Sequence, residues 1–202
     1  MRLLDSIPAP VRSILELVLT LAVAVGLALA AQAFVIKPYR VPTPSMVPTL
    51  LPGDRVLADR LTLRFRSPHR GEIVVFHPPA CGPTNSSEGV CSTPDQAKRT
   101  GYSDQTFIKR VIGLPGETIF SKNGHVWVQD PGHPAQQLSE PYVHGEPTSI
   151  VGRIKVPKGD YFLMGDHREN SDDSRVWGVE PQDEILGIAR VRYWPLDRLG
   201  TL

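Results

Sequence analysis

The chain has 202 residues, with 22 Lys plus Arg against 21 Asp plus Glu and a formal net charge of +1. That length suits one globular body with an accessory segment, and so even a charge balance argues against a nucleic-acid partner. With 17 glycines and 20 prolines, the body reads as loop-rich and mainly β, without reaching the composition of a disordered chain.

The first distinct element is the stretch from Leu17 to Ile36, 20 residues without a charge. As a helix it would extend about 30 Å, the thickness of a bilayer's hydrocarbon core. The expected organisation is an N-terminal segment over residues 1–13, one transmembrane helix over 14–36 and a body over 37–202. A cleaved secretory signal is the competing reading, because Arg2 and Arg12 form a basic start and Ala31-Gln32-Ala33 looks like a cleavage site. Against it, the run exceeds the roughly 7–15-residue apolar core of such signals. Orientation is not set by charge, since Lys37 and Arg40 follow the span and long domains translocate largely regardless of it.

Beyond the span comes Val41-Pro42-Thr43-Pro44-Ser45-Met46-Val47-Pro48-Thr49-Leu50, which is either a stiff linker or the mount of a nucleophilic serine. β-branched runs bounded by Gly and Pro predict strands at residues 54–58, 72–76, 106–112, 117–121, 125–128, 153–156, 161–164 and 186–194. Asn123-Gly124, between two of these runs, is the clearest hairpin signal in the chain. Residues 78–105 read as a surface excursion rich in turn formers. It holds Cys81 and Cys91, a pair that suits a disulfide in an oxidising compartment; two free thiols are the plainer alternative.

Alternation along the strand at 106–112 places Phe107, Lys109 and Val111 on one face and Ile108, Arg110 and Ile112 on the other. One face must therefore bury a cation or expose apolar groups. A desolvated lysine loses its preference for the charged form and can serve as a base, and Ser–Lys pairing is one way to activate a serine. The plain alternative is a surface lysine whose stem covers its neighbours. The six histidines form no metal motif, and His167 alone is retained as an alternative base. The polar segment from Gly165 to Arg175 fails the calcium-loop pattern, since Arg168 and Ser171 stand where ligands or glycine belong. No metal and no cofactor is expected.

Four ordered blocks carry a resemblance: Pro44-Ser45-Met46-Val47-Pro48-Thr49-Leu50; Arg70-Gly71-Glu72-Ile73-Val74-Val75-Phe76; Lys109-Arg110-Val111-Ile112-Gly113-Leu114-Pro115-Gly116; and Gly165-Asp166-His167-Arg168 through Asn170-Ser171-Asp172-Asp173-Ser174-Arg175. Together they resemble the motif series of bacterial type I signal peptidases. The resemblance implies a fold of antiparallel β-sheets shared with SOS-type repressors, one N-terminal transmembrane helix and a cytoplasmic segment 1–13. It implies an extracytoplasmic catalytic domain over 37–202, on the outer face of the cytoplasmic membrane, that removes signal peptides from secretory preproteins after A-x-A sites. The implied partners are those preproteins and the lipid bilayer; no stable oligomer is expected.

By the same resemblance Ser45 is the nucleophile and Lys109 the general base. Thr43 supplies a hydroxyl to the oxyanion, and Ser171, Asp173 and Arg175 support the dyad. Val41, Pro42, Met46, Leu50, Phe107 and Ile108 wall the substrate pockets, with Tyr39 and Val56 as further candidates. Two departures stand out: Pro44 replaces a glycine seen in some members, pushing Thr43 toward extended geometry, and His167 and Glu169 replace residues often seen as Asn and Asp. An SOS-type autoprotease and an anchored binding module are the competing readings; the anchor and the lack of a helix-turn-helix region argue against the first.

Overall fold

Turn-forming residues cut the chain beyond residue 36 into short runs rich in β-branched and aromatic side chains, and these runs pair with antiparallel neighbours. The computed structural model describes residues 9–79, 105–143 and 147–202. Cys81, Cys91 and nearly all of the 78–105 excursion lie outside the described residues.

Helix α1 occupies Ala9–Phe34 and strand β1 Ile36–Arg40. The helix thus ends before the predicted boundary at residue 36. The apolar run continues across its end, so hydropathy does not mark the change; strand pairing does, with Arg60 N donating to Val35 O at 2.9 Å and Ile36 set opposite Asp59. The described side chains of α1, residues 11–27, are exposed throughout and extend about 25 Å. Among the described residues, no helix is long and apolar enough to cross a membrane.

The strands follow as β2 (Arg55–Asp59), β3 (Ile73–Phe76), β4 (Phe107–Gly113), β5 (Thr118–Lys122), β6 (His125–Gln129), β7 (Gln136–Gln137), β8 (Ile154–Lys155), β9 (Asp160–Met164), β10 (Glu180–Pro181), β11 (Ile185–Trp194) and β12 (Gly200–Thr201). The larger sheet has the order β1-β2-β11-β3-β4-β9-β10, with β12 beside β11; the smaller is β7-β6-β5-β8. The β5–β6 hairpin turns at Asn123 and Gly124, both at positive φ (53° and 77°), as the Asn-Gly signal predicts. Eight strands match predicted runs to within a residue or two, while β1, β7, β10 and β12 have no counterpart among them.

Strand β4 sits between β3 and β9 in the larger sheet and is covered on both faces. Val111 packs with Val74, Leu163 and Trp177, Ile108 with Val41, Met46 and Leu50, and Ile112 with Ile119 and Phe162. Each such side chain contributes about 1.5–3 kcal/mol by leaving water, which is enough to pull the intervening cations inward. Lys109 and Arg110 retain only 3% and 8% exposure, so both faces of the strand bury a cation and the surface-lysine alternative is excluded.

At the far edge of the sheet, β10 places Glu180 opposite Tyr161 with no exposed surface. Neither carboxylate oxygen has a hydrogen-bond partner among the described residues, and the indole of Trp177 stands outside hydrogen-bond geometry. Burial, reinforced by Glu184 and Asp160 and tempered slightly by Trp177, pushes the Glu180 carboxyl up to about 9 from its ordinary 4.5. The folded state therefore holds a proton that the unfolded chain releases above about pH 4.5, and stability declines as pH rises from there to about 9. Glu180→Gln is expected to match the parent near pH 4.5 and to exceed it at pH 8.5 by on the order of a few kcal/mol. Thermal unfolding across that range checks this; parallel curves for the two proteins would contradict it.

Candidate active site

The segment after β1 is held by two backbone bonds: Val41 N donates to Asp54 O at 2.9 Å, and Gly53 N donates to Val41 O at 2.8 Å. Pro44 bars its predecessor from helical geometry, and Thr43 is accordingly extended (φ −123°, ψ 158°). A single 3-10 turn, Pro44–Met46, then begins with proline at its start, where a missing N–H costs nothing. Ser45 lies in that first turn, where backbone N–H groups have no intrahelical partner. The turn is seated by Met46 and Leu50, which are buried at 1% and 0% exposure in the core beneath it.

Lys109 reaches this turn from β4. Its Nζ lies 2.6 Å from Ser45 Oγ, a buried hydrogen bond between residues 64 apart in sequence. Thr43 Oγ1 is 3.3 Å from the same Oγ. Ser45 itself is 7% exposed. The ring of Phe107, two residues back on the same strand face, has its centre 5.8 Å from Nζ. Amine and hydroxyl are thus in direct hydrogen-bond contact with little exposed surface on either residue, a geometry in which a proton could pass between them without an intermediary.

The loop from Gly165 to Arg175 closes against Ser45. Its contact with the serine is through the backbone, His167 N donating to Ser45 O at 3.0 Å. Asp173, with no exposed surface, accepts from Gly165 N (3.0 Å), Ser171 Oγ (2.9 Å), Arg175 N (3.1 Å) and Arg175 Nε (2.8 Å). Arg175 in turn donates to Arg168 O at 2.8 Å. This is a bonded brace, not a solvated charged loop. A Cβ at Gly165 would fall on Ser45 O and on Ser171 Oγ, so only glycine lets the loop approach this closely. Gly165→Ala is expected to destabilise the fold by about 1–3 kcal/mol and to depress turnover more than this loss implies, since it displaces Ser45 and Ser171. Melting temperature and kcat/KM check this together; a variant unchanged in both would contradict the close approach.

A cavity of about 170 Å³ opens beside Ser45 and Lys109, lined by residues 41–46, 106–109 and 169–172. Of the predicted pocket residues, Val41, Pro42, Met46, Phe107 and Ile108 line it together with Thr43, Ser45, Lys109 and Ser171. Leu50 does not; it is core, as is Val56, with Tyr39 packed against them. Asp173 and Arg175 stand behind the lining. His167 is also outside it, and its Nδ1 is buried without a hydrogen-bond partner among the described residues, so the structure does not bring it to the serine as a base. Glu169, Asn170 and Asp172 line the cavity, a role that the sequence did not mark because a polar loop offers no periodicity. No group of residues suited to a metal ion occurs among the described residues.

The model of the family described as signal peptidase, peptidase S26 matches residues 14–194. "Probable signal peptidase I-1" of Synechocystis sp. is 40% identical over 197 residues, covering 97% of this chain and 90% of the relative. "Signal peptidase I" of Leptolyngbya laminosa is 37% identical over 189 residues, 94% of this chain and 84% of its own. "Signal peptidase IB" of Staphylococcus aureus is 29% identical over 202 residues, 91% of each chain.

Proposed function

The chain belongs to the signal peptidase family, peptidase S26, and on that premise we propose that Ser45 is its nucleophile and Lys109 its general base. It is a peptidase that removes signal peptides from exported preproteins. The observation that carries the residue roles is the 2.6 Å contact between Lys109 Nζ and Ser45 Oγ inside a buried surround.

In the proposed sequence Ser45 Oγ attacks the scissile carbonyl as its proton passes to the neutral amine of Lys109. The oxyanion takes hydrogen bonds from Ser45 N–H and Thr43 Oγ1–H; removing one such donor typically costs about 10²–10³ in rate. Collapse of the tetrahedral intermediate expels the amine of the mature chain, which receives the proton from Lys109. A water then gives its proton to Lys109 as it attacks the ester, and collapse of that second intermediate returns the proton to Ser45 Oγ, freeing the signal peptide and restoring the neutral amine. Ser171, Asp173 and Arg175 act as positioning residues: Asp173 holds Ser171 on the cavity wall and Arg175 holds Asp173.

The walls contributed by Val41, Met46, Phe107 and Ile108 leave a small cavity. Packed walls of this kind reject large side chains by overpacking and accept a methyl group, which supports cleavage after Ala-x-Ala.

The membrane anchor is part of the same reading. It is supported by the uncharged run from Leu17 to Ile36 and by exposed large apolar side chains, among them Ile14 (63% exposed), Leu19 (64%) and Leu27 (67%). With the helix in the bilayer, β1 begins at its surface and carries the mount of Ser45 to substrates there, on the outer face. The test of the dyad is cleavage of a precursor bearing an Ala-x-Ala site by the parent and by Ser45 and Lys109 variants. A cut after the second alanine by the parent alone is expected, and cleavage by a Lys109→Ala variant at the parent rate would overturn the reading.

A further inference from the structure

Acidic side chains on the Gly165–Arg175 loop fall into two groups. Asp166 is held by Arg110, and Asp173 by Arg175. Glu169 and Asp172 are different: both are exposed, both line the catalytic cavity, and neither carboxylate has a hydrogen bond or ion pair among the described residues. The nearest loop cations are committed elsewhere, Arg168 to Glu140 and Thr148 Oγ1, and Arg175 to Asp173. Lys109 is the cation of the lining, and in the proposed mechanism it is neutral when substrate binds. A substrate therefore meets an uncompensated pair of negative charges on one wall and apolar side chains on the other two.

We propose that Glu169 and Asp172 are specificity-determining residues that favour basic and disfavour acidic side chains in the first residues of the mature chain. The inference rests on the Ser45–Lys109 reading and deepens it. The apolar walls, Val41 and Met46 on one segment and Phe107 and Ile108 on another, suit the small residues before the cut. The residues after the cut are left to the polar wall formed by 169–172. Water reaches that wall, so each charge acts through a high effective dielectric; one substrate charge within several ångströms of the pair then changes kcat/KM by about fivefold. The effect weakens with salt, because exposed charges are screened.

The experiment uses the full-length protein in detergent and quenched peptides with one Ala-x-Ala site, carrying Lys, Ala or Glu at the second residue after the cut. A parallel series places the same three at the middle of Ala-x-Ala. The readout is the Lys-to-Glu ratio of kcat/KM within each protein, which tolerates changes in overall activity. The parent is expected to favour Lys over Glu by about fivefold or more after the cut, with a ratio that falls toward one between low and high salt. Glu169→Gln and Asp172→Asn should each lower that ratio, and the double variant should abolish it. Equal cleavage of the Lys and Glu peptides, a ratio indifferent to salt, or discrimination confined to the middle position would each overturn the proposal while leaving the dyad intact. Cleavage of none of the peptides by the parent would overturn the dyad reading beneath it.

Discussion

Ser45→Ala and Lys109→Ala are each expected to lower precursor cleavage by at least about 10³-fold, and by up to about 10⁶-fold if the residual rate is that of binding and oxyanion contacts alone. Losses should appear in kcat with little change in KM, because neither group is needed to hold the ground state. Together the two substitutions should cost no more than either alone, since nucleophile and base act as one unit. His167→Ala serves as the internal comparison: it lies outside the cavity lining and bonds Ser45 through its backbone N–H, which the substitution keeps, so cleavage should stay within a few-fold of the parent. The sign of the pH dependence follows from the base. An ammonium at Lys109 has no lone pair for the serine proton, so kcat/KM should rise with pH as Lys109 deprotonates and fall on the acid side. Parent activity in Lys109→Ala, or equal losses in His167→Ala and Lys109→Ala, would move the base away from β4.

The second large effect is structural. Asp166 has no exposed surface and accepts from Arg110 Nε (2.8 Å), Arg110 Nη2 (2.6 Å) and Thr49 Oγ1 (2.6 Å). Arg110 is the residue after Lys109, its guanidinium lying 3.9 Å from the Tyr142 ring centre with Nη1 donating to Gly71 O at 2.7 Å. The pair thus joins the end of the Ser45 segment, the strand that carries Lys109 and the loop that braces Ser45. Asp166→Ala leaves the arginine charge buried without its counter-ion, which costs about 3–5 kcal/mol. At about 2–4 °C per kcal/mol for a chain of this size, the melting temperature should fall by about 6–20 °C. A paired replacement, Asp166→Leu with Arg110→Met, should recover much of that loss, because apolar groups of similar volume avoid the desolvation penalty. Thermal unfolding in detergent decides it; a shift below about 2 °C in Asp166→Ala would mean that water reaches the pair.

That Ser45 and Lys109 would stand together was implied by the order of the blocks that carry them, a Pro-flanked serine, a lysine on a periodic strand, then a polar loop; strand alternation alone left Lys109 equally readable as a surface residue, and the structure puts the two side chains in contact. The extended Thr43 was legible too, since proline restricts its predecessor whatever the tertiary fold. What strand alternation did not give was that β4 is covered on both faces. That depends on which strands flank it, and the partners of Lys109 and Arg110 lie 64 and 56 residues away. Leu50 shows the same limit from the other side: an apolar residue near a nucleophile reads equally as wall or as core, and only packing separates them. Strand β1 escaped notice because Ile36 extends an apolar run without a breaker, and Glu180 because nothing local marks a glutamate before a proline as buried.

The central claim is that Lys109 meets Ser45 as a neutral amine. The most direct measurement is an NMR titration of lysine side chains labelled at Cε, with Lys109→Met to assign the signal, set beside the pH profile of kcat/KM. Lys109 is expected to lose its proton well before the exposed lysines do, with a titration that coincides with the acid limb of activity. A Lys109 signal that stays protonated across the pH range of full activity would contradict it.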